Sequence, residues 1–176
     1  MSGSVVSIGG IIINRVEHIF DPVYDENSQI LILGTIPSPK SREYGFYYGH
    51  PQNRFWRIMS DVMRAPLPNT IEEKKNFLLR HRIALWDVLA SCDITGAKDS
   101  SIRNAVANDF SEILSASCIA AIFTTGMKAT NLYQQLCYPR TNVPSTYLPS
   151  TSPANCGNFT YDELVSEYSR IRNYLK

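Results

Sequence analysis

Residues 29–34 read Gln29-Ile-Leu-Ile-Leu-Gly34, and the turn-forming stretch Thr35-Ile-Pro-Ser-Pro-Lys-Ser41 follows at once. The apolar run is continuous rather than alternating, which is typical of a strand covered on both faces, as in a parallel sheet. Three more short runs of the same character occur at residues 82–86, 118–124 and 145–149. We therefore predict a four-stranded, mainly parallel sheet.

Helical patterns lie between these apolar runs. Residues 53–63 carry apolar side chains at helical spacing along one face. A capping box formed by Thr70 and Glu73 predicts a helix over residues 70–80. Further helices are predicted at residues 109–117, 127–136 and 160–175. Strands that alternate with helices predict an α/β fold, here a three-layer αβα sandwich with right-handed crossovers.

Length and composition indicate an ordinary globular chain. Since a domain commonly has about 150 residues, we predict a single domain over residues 1–176, in which residues 1–16 form an N-terminal arm or an added strand. With 44% hydrophobic and 19% charged residues, intrinsic disorder is excluded. The 17 Lys and Arg against 16 Asp and Glu exclude bulk nucleic-acid binding through net charge, but they are compatible with a local basic face.

Membrane and metal proteins leave signals that this sequence lacks. No apolar run approaches the roughly 18 residues of a membrane span, and residues 1–4 lack the basic start of a signal peptide. The four cysteines form no C-x-x-C pair and have no clustered histidines, so neither zinc nor an iron–sulfur cluster is indicated. We expect a soluble, cytoplasmic protein, nucleoid-associated if the source is prokaryotic, with no metal and no cofactor.

Two loops that follow predicted strands carry unusual chemistry. In open α/β sheets ligands bind beyond the carboxyl ends of the strands. After the first strand and its Pro/Ser-rich turn comes Tyr44-Gly-Phe-Tyr-Tyr-Gly-His-Pro-Gln-Asn-Arg-Phe-Trp56, and the fourth strand runs into Leu148-Pro-Ser-Thr-Ser-Pro-Ala-Asn155. Composition alone leaves ordinary turns open. However, so many aromatic residues are unsuited to display in solvent, which favours a pocket that holds a flat ring.

These loops resemble the motifs of the uracil-DNA glycosylase superfamily. Gly34-Thr-Ile-Pro-Ser, followed by Phe46-Tyr-Tyr-Gly-His-Pro-Gln-Asn-Arg-Phe-Trp56, is similar to the first motif, and residues 148–155 are similar to the second. The branch named for hypoxanthine-DNA glycosylase activity is the most similar, because Tyr-Tyr-Gly-His-Pro and Leu-Pro-Ser-Thr-Ser-Pro-Ala-Asn occur together there. The resemblance runs from about residue 24 to the C-terminal helix, and it implies a uracil-DNA glycosylase-like fold.

The resemblance implies a monofunctional DNA glycosylase of base excision repair, which flips a deaminated base out of the duplex and hydrolyses its N-glycosidic bond. Hypoxanthine is the favoured base, with uracil and xanthine left open, and the partner is DNA that contains such a base, bound by a monomer. No lysine in either motif is placed as an amine nucleophile. Two alternatives remain: a catalytically silent protein that binds damaged DNA, and a hydrolase of free nucleosides.

Ile36 stands where several branches of the superfamily have a polar residue that activates water, so it is not the catalyst. Asn53, 19 residues after Gly34, is the best substitute, because its amide offers a donor and an acceptor. A helix cap is the alternative role for Asn53. Ser150 occupies the place of a His or Asn in related second motifs and completes the predicted catalytic pair.

The resemblance also assigns residues to the base and to DNA. The base pocket is predicted from the ring of Tyr48, from the carboxylate of Asp87 as acceptor for a purine N–H, and from five more residues: Gly34, Thr35, Ile36, Tyr47 and His50. The alternatives are a core position for at least one of Phe46 and Tyr47, a structural role for His50 and a helix cap for Asp87. The predicted DNA contacts are Ser38, Lys40, Ser41, Arg42, Arg54, Ser152, Pro153, Ala154 and Asn155, with Pro153 and Ala154 as a wedge in the base stack.

Overall fold

The computed structural model describes residues 5–8 and 10–176. Within them the chain forms these strands: β1 (Val5–Ile8), β2 (Ile11–Glu17), β3 (Ile30–Gly34), β4 (Ile83–Asp87), β5 (Leu89–Ile94), β6 (Arg103–Ala107), β7 (Ala121–Thr125) and β8 (Ser145–Leu148). The α-helices are α1 (Pro39–Tyr44), α2 (Phe55–Met63), α3 (Ile71–Arg80), α4 (Ser111–Ala116), α5 (Met127–Leu132), α6 (Tyr138–Thr141) and α7 (Tyr161–Ser169).

The predicted parallel sheet is confirmed. Its order is β4-β3-β7-β8, and every neighbouring pair runs parallel. All five residues of β3 are buried, because Ile30 and Ile32 face a core shared with α2, α3 and α7, while Leu31 and Leu33 face a second core on the other side. This two-sided burial explains why the strand is apolar throughout. The carboxyl ends of all four strands meet at one edge of the sheet.

A second sheet, absent from the sequence-based prediction, lies against one face of the first. It is antiparallel, with the order β1-β2-β5-β6. Strands β4 and β5 are separated only by Val88, whose N–H donates to the Gly34 carbonyl at 2.8 Å. The chain therefore crosses from one sheet into the other right beside Asp87. Of the predicted N-terminal arm or strand, the described residues form β1 and most of β2, and residues 1–4 and 9 lie outside the described residues.

The predicted helices are present with shifted ends. The capping box at α3 is confirmed: the Glu73 N–H donates to Thr70 Oγ1 at 3.1 Å, and the Thr70 N–H donates to Glu73 Oε2 at 3.2 Å. The predicted helix over residues 127–136 passes from α5 into a π-helical turn at Tyr133–Cys137 before α6. Within residues 5–8 and 10–176, every helix is too short or too polar to cross a membrane.

Candidate active site

A cavity of about 740 Å³ opens at the carboxyl edge of the parallel sheet. It lies between the two loops that the sequence singled out. Sixteen of the predicted site residues line it: Gly34, Thr35, Ile36, Ser38, Lys40, Ser41, Tyr47, Tyr48, His50, Asn53, Asp87, Ser150, Ser152, Pro153, Ala154 and Asn155. Arg42 and Arg54 are absent from the lining. The fold therefore brings together residues that are up to 121 positions apart in the chain (from 34 to 155).

Asn53 lines the cavity, and the oxygen of its side-chain amide is already hydrogen-bonded within the protein. Its Oδ1 accepts two hydrogen bonds, from the Phe55 N–H at 2.9 Å and from the Thr151 hydroxyl at 2.8 Å. The first bond satisfies the N–H of Phe55, the first residue of α2, while the N-cap position itself is Arg54 and not Asn53. Among the described residues, Nδ2 donates no hydrogen bond. What Asn53 presents to a ligand is therefore a donor and not an acceptor.

Thr151 is a functional candidate that sequence reasoning missed. Its side chain is buried, with 1% of the residue exposed. Its hydroxyl donates to Asn53 Oδ1, and its carbonyl oxygen accepts from the Arg54 N–H at 3.2 Å. These two bonds tie the second loop to the start of α2. In the sequence Thr151 lies between two serines of equal polarity, so nothing but a folded structure distinguishes it.

Three aromatic residues of the first loop divide into core and cavity wall. Phe46 and Tyr47 are 3% and 2% exposed, and the Tyr47 hydroxyl donates to the Asp21 carbonyl oxygen at 2.8 Å, so the core alternative fits both. Tyr48 lies at the cavity, with its ring stacked on Phe55 at 3.8 Å between centroids. Its backbone adopts a left-handed φ of +53°, a conformation that is uncommon for a residue with a bulky side chain.

The Tyr48 ring is held in a defined position and protonation state. Its hydroxyl lies 3.1 Å from Thr125 Oγ1, which is itself 3.4 Å from the Leu33 carbonyl oxygen. Burial, together with the nearby Asp87 carboxylate, raises the pKa of Tyr48 well above its ordinary value, so the phenol stays neutral. Tyr48 is thus a rigid, uncharged aromatic surface against which a base can stack.

Asp87 offers the cavity a hydrogen-bond acceptor, whereas Asn53 offers a donor. It ends β4 and is 5% exposed. The helix-cap alternative for Asp87 is wrong, because β5 and not a helix follows it. Its Oδ2 lies 2.8 Å from His18 Nε2, and its Oδ1 lies so close to Gly34 that a Cβ at that position would overlap it. Among the described residues, Oδ1 accepts no hydrogen bond. His18 was missed by sequence reasoning, since it lies 69 positions from its partner.

His50 combines a turn contact with a place on the cavity wall. Its Nδ1 accepts from the Gln52 N–H at 3.0 Å, and its carbonyl oxygen accepts from the Asn53 N–H at 2.9 Å. With Nδ1 as an acceptor, the hydrogen of a neutral imidazole sits on Nε2. Nδ1 of His50 therefore has a structural role in the turn, as the alternative stated, and Nε2 remains a donor for a ligand.

Several predicted DNA contacts are occupied within the protein. Arg54 donates from Nη1 to the Phe159 carbonyl oxygen at 2.8 Å, and its Nε and Nη2 are buried, so the structure argues against a phosphate contact. Ser41 is 4% exposed, and its Oγ accepts from the Gly49 N–H at 3.1 Å. Asn155 donates from Nδ2 to the Ser150 carbonyl oxygen at 2.9 Å. These three side chains hold the loops in shape.

The remaining candidates lie nearer to solvent. Lys40 is exposed and pairs with Glu43 at 2.8 Å, a surface contact that a phosphate can replace. Ser150 Oγ accepts from the Ser152 N–H at 3.2 Å, and Ser152 in turn caps the short turn Pro153–Asn155. Ala154 at the tip of that turn is exposed. The connection between β5 and β6 adds wall residues that the sequence did not indicate: Ala97, Lys98, Asp99 and Ser100.

In chemical terms the cavity offers a donor at Asn53, an acceptor at Asp87 and an aromatic surface at Tyr48. A flat heterocycle that has ring N–H and C=O groups matches this set. Within the part of the chain that the structure describes, no group of three or more His, Cys, Asp or Glu side chains is placed to hold a metal ion.

Known proteins resemble the chain in sequence and in fold. A family model described as the uracil DNA glycosylase superfamily matches residues 22–176. Curated proteins named hypoxanthine DNA glycosylase, from Methanosarcina acetivorans and Methanosarcina barkeri, are 44% and 39% identical over 93 residues, which are 52% of this chain and 59% of each relative. The matched region thus spans less than two thirds of those curated relatives.

A solved structure is similar over nearly the whole chain. The solution NMR structure of a candidate uracil DNA glycosylase from Methanosarcina acetivorans has a TM-score of 0.74 and 31% identity, and the match covers 91% of this chain and 99% of that one. The family match covers the parallel sheet, both loops and the cavity between them. On this ground the chain belongs to the uracil DNA glycosylase superfamily.

Proposed function

We propose that this protein is a monofunctional DNA glycosylase that acts as a monomer and releases a deaminated base, with hypoxanthine as the preferred substrate. The observation that carries the proposal is the cavity between the two motif loops, which is lined by a donor, an acceptor and an aromatic ring at Asn53, Asp87 and Tyr48. Membership of the superfamily and the names of the Methanosarcina relatives support the same reaction class.

The reaction needs a flipped nucleotide, a gripped base and a placed water. The base enters the cavity and stacks on Tyr48, while the exposed Ala154 turn and Lys40 contact the flanking strand. Breakage of the bond between the sugar carbon and the base nitrogen leaves its electron pair on the base and positive charge on the sugar. Water attacks that carbon, and its proton leaves to the departing base or to solvent. The product is an abasic site and a free base.

Asn53 is the proposed catalytic residue, and it works by donation. Because both acceptor positions of Oδ1 are taken by Phe55 and Thr151, the amide holds the attacking water through Nδ2–H. A water oxygen that accepts one hydrogen bond keeps a second lone pair for attack. A strong base is not required, since the cationic sugar is itself highly electrophilic. Asn53 thus contributes position rather than proton removal.

The test is release of the base from labelled oligonucleotides. They carry hypoxanthine, uracil or xanthine, in single strands and opposite each normal base, and alkali cleaves the abasic product. We expect wild type to release hypoxanthine fastest. We expect Asn53→Ala to be at least about tenfold slower, which corresponds to a loss of about 1.4 kcal/mol of transition-state stabilisation.

Asn173→Ala is the matched control, since Asn173 is exposed and lies outside the cavity. Equal release by wild type and Asn53→Ala would remove Asn53 from catalysis and leave the enzyme. Binding of damaged DNA without any release would instead identify a silent binding protein. Hydrolysis of free inosine that is faster than release from DNA would identify a nucleoside hydrolase.

A further inference from the structure

His18 lies just past β2, outside both motif loops, and its position is closely defined. Its backbone N–H donates to the Ala90 carbonyl oxygen at 2.7 Å, which extends the pairing of β2 with β5. The side chain is 4% exposed. The imidazole lies about 6 Å from three aromatic rings, those of Phe20, Tyr47 and Trp86, with the first and last in edge-to-face orientation. The ring is thus buried among aromatic side chains.

The hydrogen bonds of His18 determine which nitrogen carries the proton. The Phe20 N–H donates to Nδ1 at 3.3 Å, so Nδ1 is the acceptor and is unprotonated. The hydrogen is therefore on Nε2, which donates to Asp87 Oδ2 at 2.8 Å. One oxygen of the carboxylate is thus occupied, and the plane of the carboxylate is set by a group that can only donate at this position.

The second oxygen of Asp87 faces Gly34, which also lines the cavity. The Tyr48 hydroxyl approaches the same spot, since it lies 3.3 Å from where a Gly34 Cβ would be. Because His18 occupies Oδ2, Oδ1 is the oxygen of Asp87 that stays free to accept a hydrogen bond. A carboxylate oxygen accepts a hydrogen bond and repels the lone pairs of a carbonyl oxygen.

We propose that His18 is a positioning residue for Asp87, and that this pair makes the cavity selective for a base whose ring N–H is flanked by C–H on one side. Hypoxanthine fits, because its N1–H lies between C6=O and C2–H. Uracil N3–H and xanthine N1–H each lie between two carbonyl groups, so one carbonyl oxygen is brought towards the carboxylate whichever way the base enters. This inference rests on the proposed glycosylase function and specifies its substrate.

The first test compares His18→Phe, which keeps the aromatic packing but removes the donor, with His18→Gln, which restores a donor. The readout is the ratio of kcat/KM for hypoxanthine to kcat/KM for uracil in matched duplexes. We expect wild type to favour hypoxanthine, His18→Phe to lower the ratio by about tenfold or more, and His18→Gln to recover much of it. His81→Phe, a histidine outside the cavity, serves as the control.

A second variant, Asp87→Asn, replaces the free acceptor of the His18–Asp87 pair with a donor. In Asp87→Asn the amide oxygen takes the His18 Nε2–H, so the NH₂ group faces the cavity and donates. We expect release of hypoxanthine to fall and the ratio to shift towards uracil and xanthine, whose carbonyl groups accept. In the double variant His18→Phe/Asp87→Asn the amide is free to turn, and we expect hypoxanthine release to recover about threefold or more.

The outcomes separate this inference from the function on which it rests. Absence of base release by folded wild type contradicts the glycosylase proposal and the selectivity with it. Release with the same ratio in wild type and folded His18→Phe contradicts only the role of His18. If His18→Phe does not fold, Asp87→Asn decides alone: a shifted ratio supports the inference, and an equal loss on all three bases overturns it.

Discussion

The cavity has two polar walls, one that offers a hydrogen-bond donor and one that offers an acceptor. In each wall a second residue forms a hydrogen bond with one end of the polar group. In the donor wall, made of Asn53 and Thr151, the threonine hydroxyl helps to occupy the amide oxygen and leaves an N–H for the ligand. In the acceptor wall, made of Asp87 and His18, the imidazole N–H occupies one carboxylate oxygen and leaves the other. In both, a buried second residue occupies one end of a polar group and leaves the other end free for the base that we propose as substrate.

The walls differ in how their parts are distributed along the chain. Both residues of the donor wall lie in the motif loops, whereas His18 of the acceptor wall directly follows β2, a strand of the other sheet. The donor wall is thus assembled by the parallel sheet alone, and the acceptor wall requires the two sheets to pack together. We infer that the acceptor wall is the more sensitive of the two to changes far from the cavity.

The largest effect is expected from reversing the donor wall. Asn53→Asp keeps an oxygen for the Phe55 N–H and the Thr151 hydroxyl but replaces the remaining NH₂ with an acceptor. We expect base release to fall by about a hundredfold or more, the range seen when one preorganised donor is lost. Single-turnover release of hypoxanthine measures it, with Asn173→Asp as the exposed control. Retained activity would mean that Asn53 works as an acceptor after all.

A smaller loss is expected when the acceptor wall is obstructed. In Gly34→Ala the new methyl group overlaps Asp87 Oδ1, and the carboxylate cannot retreat while His18 holds its other oxygen. We expect about thirtyfold slower release and about 1–3 kcal/mol lower free energy of unfolding, measured by single turnover and by urea denaturation.

Gly157→Ala is the matched control for Gly34→Ala, since nothing lies within 4 Å of where its Cβ would be. A further comparison uses His18→Phe/Gly34→Ala, where the freed carboxylate can move aside and part of the stability should return. If Gly34→Ala is as stable and as active as wild type, the close approach of Asp87 is not a constraint on the site.

The smallest effect is expected from loosening the donor wall without removing it. Thr151→Val deletes one of the two hydrogen bonds to Asn53 Oδ1 and leaves the Phe55 N–H in place. We expect kcat to fall by about tenfold, or about 1.4 kcal/mol, with KM nearly unchanged because Thr151 positions Asn53 rather than the base.

Thr151→Ser should restore most of that kcat, since it keeps the hydroxyl. A merely structural role would instead make the serine and valine variants lose stability without separating their kcat values. An unchanged kcat in folded Thr151→Val would show that the Phe55 N–H alone orients the amide.

The parallel sheet was predictable because its strands are buried on both faces and are therefore continuously apolar. The antiparallel sheet was not. All of β6 is exposed or half-buried, and β5 mixes Ser91, Cys92 and Asp93 among apolar residues. Such strands show neither the continuous run nor the clean alternation on which sequence reasoning depends. This unpredicted sheet is the one whose strand β2 leads directly into His18.

In the two loops, too, part of the arrangement was predictable from the sequence and part was not, here at the level of single side chains. Sixteen of the residues that the sequence singled out line one cavity, but the sequence did not distinguish side chains that are open to the cavity from those that hold the loop. Ser41, Arg54 and Asn155 have the polarity expected of DNA contacts, yet their hydrogen bonds are directed into the protein. Thr151 has no distinctive spacing, and its role depends on one bond across 98 positions of chain.

By itself, therefore, the sequence determined the sheet, the edge at which the site lies and the kinds of groups around it, because these follow from hydrophobic runs and local motifs. Only the tertiary structure decided which atom of each polar group is free. The reason is that an amide and a carboxylate each have two ends, and which end meets the ligand depends on the partner that occupies the other. Those partners, Thr151 and His18, are neighbours in space and not in sequence.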